Sequence, residues 1–283
     1  MIQQIPEVQP VRLDHVPDIR LIACDMDGTL LDDEHAIHDD FWPLIAELHA
    51  RGVIFCPASG RQYYSLLERF APISDELIFI AENGTYVMRK GVELSSDCLA
   101  RAAAHELIGV YRALKRGEAD VGAVLCGKRS AYVETDTPEF LAEVVKYYQR
   151  LEIVDDLLAI EDDFLKVALF TFRSSERVIH PAFARFRDSH QVVVSGLHWL
   201  DVMAPEANKG AGIRHIQKKL RISREQTMVF GDFLNDLEMM DEAAYSFAMA
   251  NAHPLLKERA GFLSPGNGDN GVVRTIKSVF AIA

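Results

Sequence analysis

Cysteine, positive charge and long apolar runs are all in short supply in this chain. Its four cysteines, Cys24, Cys56, Cys98 and Cys126, are far apart and form no C-x-x-C pair, so neither a disulfide framework nor a zinc site is expected. No apolar run approaches the roughly 20 residues of a membrane span. The first twenty residues lack both a basic start and an apolar block, so no signal peptide is expected. Basic residues number 30 against 42 acidic, a net charge of −12 that repels polyanions and argues against nucleic acid as the main partner. A small phosphorylated partner stays admissible, because a few local charges outweigh the average. None of the ten histidines forms a pair at metal-ligand spacing on a helix, and none adjoins a G-x-S-x-G elbow. The glycine-rich "GNGDNG" lacks the following Lys-Ser/Thr of a P-loop and reads as a loop. The expectation from these absences is a soluble, cytoplasmic, globular protein that engages neither membrane nor nucleic acid; a monomer or small homo-oligomer is expected.

What is present is an alternation of short apolar runs and amphipathic segments. "RLIACD", "VIFCPAS", "ELIFIAENG", "TMVFGD" and "YSFAMA" read as strands. "HDDFWPLIAELHARG", "RQYYSLLERF", "NKGAGIRHIQKKL", "NDLEMMDEA", "PLLKERA" and "NGVVRTIKSVF" read as helices. Strands alternating with helices on 20- to 30-residue steps imply a doubly wound, Rossmann-like α/β core with a parallel sheet. Such sheets bind ligands at the carboxyl ends of their strands. Residues 95–196 carry their own elements, with "ARAAAHELIGVYRAL" and "PEFLAEVVKYYQRL" helical and "GAVLCG", "AYVET", "LKVALFTF" and "QVVVSG" extended. They read as an inserted α/β domain, leaving 1–94 plus 197–283 as the core and 1–19 as a polar N-terminal extension.

The stretch "LIACDMDGTLLDD" drives an apolar run straight into Asp25 and Asp27. In an extended segment side chains at i and i+2 point the same way, so both acids can face one cleft. Two carboxylates about 5 Å apart at an effective dielectric near 20 repel by roughly 3 kcal/mol. A cation, a shared proton or full hydration must relieve them. A solvated Asp-Gly turn is the competing structural reading. An EF-hand fails, because the positions requiring Gly and Glu hold Leu30 and Ala36. Ser59 with Gln62 makes a capping box, yet its hydroxyl and Gly60 also suit an anion at a helix start. Lys209 opens a helix, where a cation is unfavourable by up to about 1 kcal/mol unless an anion sits beside it. Asp232, directly after Gly231, has no local structural excuse, whereas Asn235 with Glu238 can cap a helix. Asp25, Asp27 and Asp232 would supply hard oxygen ligands for Mg2+.

Four elements, "DMDGT", "ASGR", "NKG" and "GDFLND", occur in this order, each following or bordering an apolar run. The ordered set, with "ENGTYV", "WLDVMAPEANKG", "FAMANAHPLLKERA" and "NGV", resembles the haloacid-dehalogenase superfamily. Within it the likeness is to the Cof-like phosphatases with a large α/β (C2B-type) cap, and it covers nearly the whole chain beyond residue 19. The resemblance implies Asp25 as a nucleophile that forms an aspartyl-phosphate and Asp27 as acid and base, its backbone carbonyl on the metal. It implies Mg2+ held by Asp25, Asp27 and Asp232, with Asp236 in or near that shell. Ser59, Gly60, Lys209, Asn235 and the Met26 amide would cradle the phosphoryl group. The expected activity is Mg2+-dependent hydrolysis of small phosphorylated metabolites, sugar phosphates or phosphorylated cofactors, with the inserted domain choosing among them. A sugar phosphomutase and a non-catalytic phosphometabolite-binding protein are the rival readings; a metal-free dehalogenase would leave Asp27 and Asp232 without a purpose.

Overall fold

A computed structural model of the chain describes residues 8–117, 120–134 and 137–282. Residues 1–7 of the polar extension and the end of "AYVET" at Thr135 lie outside the described residues. The chain divides into two compact units, one of 1–58, 76–78 and 213–283, the other of 59–75 and 79–212.

The first unit is built on a five-stranded sheet ordered Phe262–Ser264, Tyr245–Met249, Thr227–Gly231, Leu21–Cys24, Ile54–Pro57, with every pairing parallel. All four residues of Leu21–Cys24 are buried, as expected of an apolar run covered on both faces. From this strand the chain moves one way to Ile54–Pro57, while the later strands wind away on the other side, so the winding reverses between Leu21–Cys24 and Thr227–Gly231. Parallel crossovers are right-handed as a rule, so a sheet wound in both directions carries helices on both faces, the doubly wound arrangement that the alternation implied. Helix Phe41–Ala50 buries Phe41, Leu44, Ile45 and Leu48, and Gly52 follows it at φ +79°, the left-handed residue that ends many helices.

The second unit holds a six-stranded sheet ordered Gln191–Val194, Trp199–Met203, Phe164–Phe170, Gly122–Gly127, Ala131–Val133, Leu151–Ile153, antiparallel except for its last pair. The residues of Phe164–Phe170 divide between two cores. Phe164, Val167 and Leu169 join Leu107, Ile108 and Tyr111 of helix Arg101–Arg116. Ala168 and Phe170 instead join Phe140, Val144 and Tyr148. Helix Pro138–Val144 stops short of the expected extent and gives way to a turn from Val145, with Tyr148 buried in the same core as Phe140 and Val144. Phe79–Ala81 is extended as expected, but it pairs antiparallel with Tyr86–Arg89, which pairs in turn with Val92–Ser96.

Candidate active site

Two adjacent central strands bring the acids together. Cys24 lies opposite Phe230, and the Asp25 amide continues the ladder by donating to the Phe230 carbonyl at 3.0 Å. Asp25 and Asp232 therefore leave the sheet side by side, at the carboxyl ends of the strands where the winding reverses. One carboxylate oxygen each from Asp25, Asp232 and Asp236 lies within 4.8 Å of the others. Asp236 is fully buried, and its Oδ2 accepts the amides of Asp232 at 3.0 Å and Phe233 at 3.2 Å. The Thr29 hydroxyl donates to Asp232 Oδ1 at 3.1 Å. Gly28, at φ +80°, leaves room for that carboxylate: a Cβ there would lie 2.4 Å from Asp232 Oδ2. Gly231 does the same for Asp236, whose Oδ2 would lie 2.6 Å from an added Cβ.

At this spacing each pair of ionised carboxylates repels by about 3 kcal/mol at an effective dielectric near 20. Oxygens bound to one Mg2+ at about 2.0–2.1 Å are separated by about 3–4 Å, so an all-oxygen group of this span suits a hard divalent cation. Asp236, which the sequence placed only in or near the shell, is one of the three clustered acids.

Asp27 is not among them. The strand ends at Cys24 and the chain turns at once, with the Thr29 and Leu31 amides donating to the Met26 carbonyl. The i, i+2 alternation of a strand therefore does not extend to this pair. The Asp27 carboxylate is 35% exposed, and its Oδ1 lies 3.5 Å from His35 Nδ1. Met26 is buried at the turn, and Asn235 sits in the 3₁₀ turn Leu234–Asp236 that precedes helix Leu237–Asp241. The helix-capping box expected of Asn235 gives way to Asp236, which gathers the turn's amides.

Ser59, Gly60 and Lys209 belong to the second unit. The helix after Ser59 begins only at Tyr63, with Gln62 as its N-cap, so the Ser59–Gln62 capping box is not made. Gln62 is used elsewhere, donating to the Arg150 carbonyl at 2.9 Å and accepting from the Arg150 amide at 2.8 Å. Ser59 Oγ instead accepts the Arg61 amide at 3.1 Å, closing a tight local turn. Lys209 opens helix Lys209–Leu220, as expected, and is fully buried there, and Asn208 caps that helix by accepting the Ala211 amide at 2.8 Å.

The turn Glu82–Gly84 joins these pieces, with three successive residues at φ +51°, +58° and +99°. Its Glu82 amide donates to the Arg61 carbonyl at 3.0 Å and its Asn83 amide to the Ser59 carbonyl at 2.9 Å. A Cβ on Gly84 would lie 2.1 Å from the Asn208 carbonyl oxygen, so the turn abuts the start of the Lys209 helix. Behind it Lys166 Nζ lies 3.0 Å from Glu82 Oε2 and 3.4 Å from Asp201 Oδ2, all three side chains fully or almost fully buried. Burial pushes the Glu82 carboxyl above its ordinary range, against the pull of the Lys166 ammonium. Sequence reasoning missed Glu82, Asn83, Lys166 and Asp201; the available signals were the Asn-Gly pair and one lysine in the apolar run "FLKVALF".

The sequence matches the haloacid dehalogenase-like hydrolases over residues 22–276. This chain belongs to that family. It is 35% identical over 272 residues to 5-amino-6-(5-phospho-D-ribitylamino)uracil phosphatase YbjI of Escherichia coli K12, covering 92% of this chain and 96% of the relative. A Bacillus subtilis protein of the same activity name, YcsE, is 26% identical over 260 residues, covering 92% and 95%. Among solved structures, SMU.1108c of Streptococcus mutans UA159 superposes with a TM-score of 0.84 at 26% identity, covering 93% of this chain and 99% of its own. The chain is a haloacid dehalogenase-type phosphatase with a parallel α/β core and a cap, as the ordered motifs implied. No helix among the described residues is long and apolar enough to cross a membrane.

Proposed function

We propose that this phosphatase hydrolyses small phosphorylated metabolites in the cytoplasm, with Mg2+ as cofactor, through an aspartyl-phosphate on Asp25. The single observation that supports this most is the Asp25, Asp232 and Asp236 carboxylate group at the ends of the two central strands. Asp25, Asp232 and the Asp27 backbone carbonyl would hold the metal, with Asp236 beside them. Mg2+, when bound, supplies positive charge against both the acids and the phosphoryl oxygens.

Asp25 attacks phosphorus, so that its carboxylate oxygen gains the P–O bond as the ester oxygen departs. Asp27, partly exposed and outside the acidic group, protonates the leaving oxygen. The same carboxylate then takes a proton from water, which attacks phosphorus, releases inorganic phosphate and restores Asp25. Ser59, Gly60, Lys209, Asn235 and the Met26 amide take the phosphoryl oxygens, where donors fixed in advance are worth most in the transition state. The inserted region 95–196 acts as the cap that selects the leaving group.

Because two relatives carry the name 5-amino-6-(5-phospho-D-ribitylamino)uracil phosphatase, that ester is the first substrate to assay. A panel of sugar phosphates and phosphorylated cofactors completes the test, with released phosphate as the readout. Turnover of one or more with Mg2+, and none in chelator, supports the proposal. Full activity in chelator contradicts the metal assignment, and isomerisation without phosphate release would favour a phosphomutase.

A further inference from the structure

Lys166 is a full positive charge placed in the interior of a β-sheet, flanked in register by Cys126 and Met203 on the neighbouring strands. Apolar residues fill most of the same sheet face, including Ala168 and Phe170 on its own strand. Burial of an ammonium is costly unless partners surround it, and here they do. Its Nζ donates to the Gly60 carbonyl at 2.7 Å and faces the Glu82 and Asp201 carboxylates. Burial alone would lower the lysine's pKa, but Asp201 and then Glu82 outweigh it and keep the side chain charged. Asp201 Oδ2 also accepts from Asn83 Nδ2 at 2.5 Å. That Asn83 amide group packs against Gly60 so tightly that a Cβ on Gly60 would meet it at 3.1 Å.

The contacts to Gly60, Glu82 and Asn83 end on the backbone or turn that shapes the proposed phosphate cradle. Gly60 follows Ser59, the Glu82–Gly84 turn is hydrogen-bonded to the Ser59 and Arg61 carbonyls, and Gly84 abuts the backbone immediately before Lys209. We propose that Lys166 is a positioning residue: by tying Gly60, Glu82 and Asp201 together it holds Ser59, Gly60 and Lys209 in the arrangement that binds phosphate. This rests on the proposed phosphate-binding role of those three residues.

The test compares wild type with Asp201→Asn, which keeps volume and an acceptor for Asn83, and with Lys166→Met/Asp201→Asn, which removes one buried charge of each sign. Thermal melts locate a temperature at which all three are folded. There, kcat and KM for Mg2+-dependent hydrolysis of p-nitrophenyl phosphate and the inhibition constant of inorganic phosphate are measured. The expected result is a rise of about tenfold or more in KM and in the phosphate inhibition constant for the double variant. Asp201→Asn should show a smaller rise in the same two constants. A merely structural lysine would lower the melting temperature and leave both constants unchanged, which overturns the proposal while the reading of the acidic site stands. A wild type that releases no phosphate under any of these conditions overturns the site reading, and the positioning role with it.

Discussion

Gly28→Ala separates the fold's need for a glycine from the site's need for one. Gly28 sits at φ +80°, where a Cβ costs about 1–2 kcal/mol from backbone crowding alone. The new Cβ would also lie 2.4 Å from Asp232 Oδ2 and 2.9 Å from its Cγ. Restoring ordinary contact requires the carboxylate to retreat by roughly 1 Å, several times the tolerance of about 0.2 Å in a metal–ligand distance. The end of a side chain moves cheaply, so the protein should still fold; what moves, however, is a proposed ligand. A displacement of about 1 Å in a catalytic group is worth roughly 100-fold in rate. The control is Gly52→Ala, at φ +79° with nothing within 4 Å of the added Cβ, which carries the same backbone strain and no clash. Both variants should lose similar stability in thermal denaturation. Only Gly28→Ala should lose about two orders of magnitude in p-nitrophenyl phosphate turnover and need more Mg2+ for half-activation. Equal turnover and equal Mg2+ dependence in the two variants would refute the placement of Asp232 at the metal.

Gly84→Ala should be more damaging to the fold, because its Cβ would meet the backbone carbonyl of Asn208 at 2.1 Å and the Lys209 nitrogen at 2.8 Å, which cannot simply swing away. Strain at φ +99° and overpacking together predict a loss of about 3 kcal/mol or more by urea denaturation. Lys166→Met alone leaves Asp201 and Glu82 buried without their cation and should destabilise the protein by about 3–5 kcal/mol in the same assay. Glu82 sets a sign for pH dependence. Its carboxyl is pushed up in the folded state, first by burial, so the native protein keeps a proton that the unfolded chain has released. The resulting stabilisation is fully present below the ordinary glutamate pKa and is lost as pH rises through the folded value. Glu82→Gln should therefore flatten the stability profile above about pH 4.5, and an unchanged slope would count against this titration.

The parallel core was legible because its strands are apolar runs long enough to stand out, as in "LIAC" and "TMVFG". Phe262–Ser264 was not, since three residues between a helix and a glycine-rich loop carry no periodicity. The Tyr86–Arg89 and Val92–Ser96 hairpin escaped for a different reason. Its turn, Lys90–Gly91, takes two positive φ values, a geometry that Asn-Gly advertises more clearly than Lys-Gly. Asp25 and Asp232 could be read as acids at strand ends, but strand parity misled about Asp27, because the chain turns at Met26. Ser59 looked like a cap from its spacing to Gln62, yet Gln62 is committed to Arg150, far along the sequence. The Glu82, Lys166 and Asp201 group was out of reach for the same reason: its members are 35 to 119 positions apart, and tertiary packing alone makes them neighbours.

The central claim is that Asp25 carries the phosphoryl group during turnover. Rapid acid quenching of the enzyme during turnover of a ³²P-labelled phosphate ester, followed by tryptic mapping, tests it directly. Acid-stable label on the peptide 21–51, absent in Asp25→Asn, is the predicted result. Steady turnover with no protein-bound label, or with label on a different peptide, would contradict it.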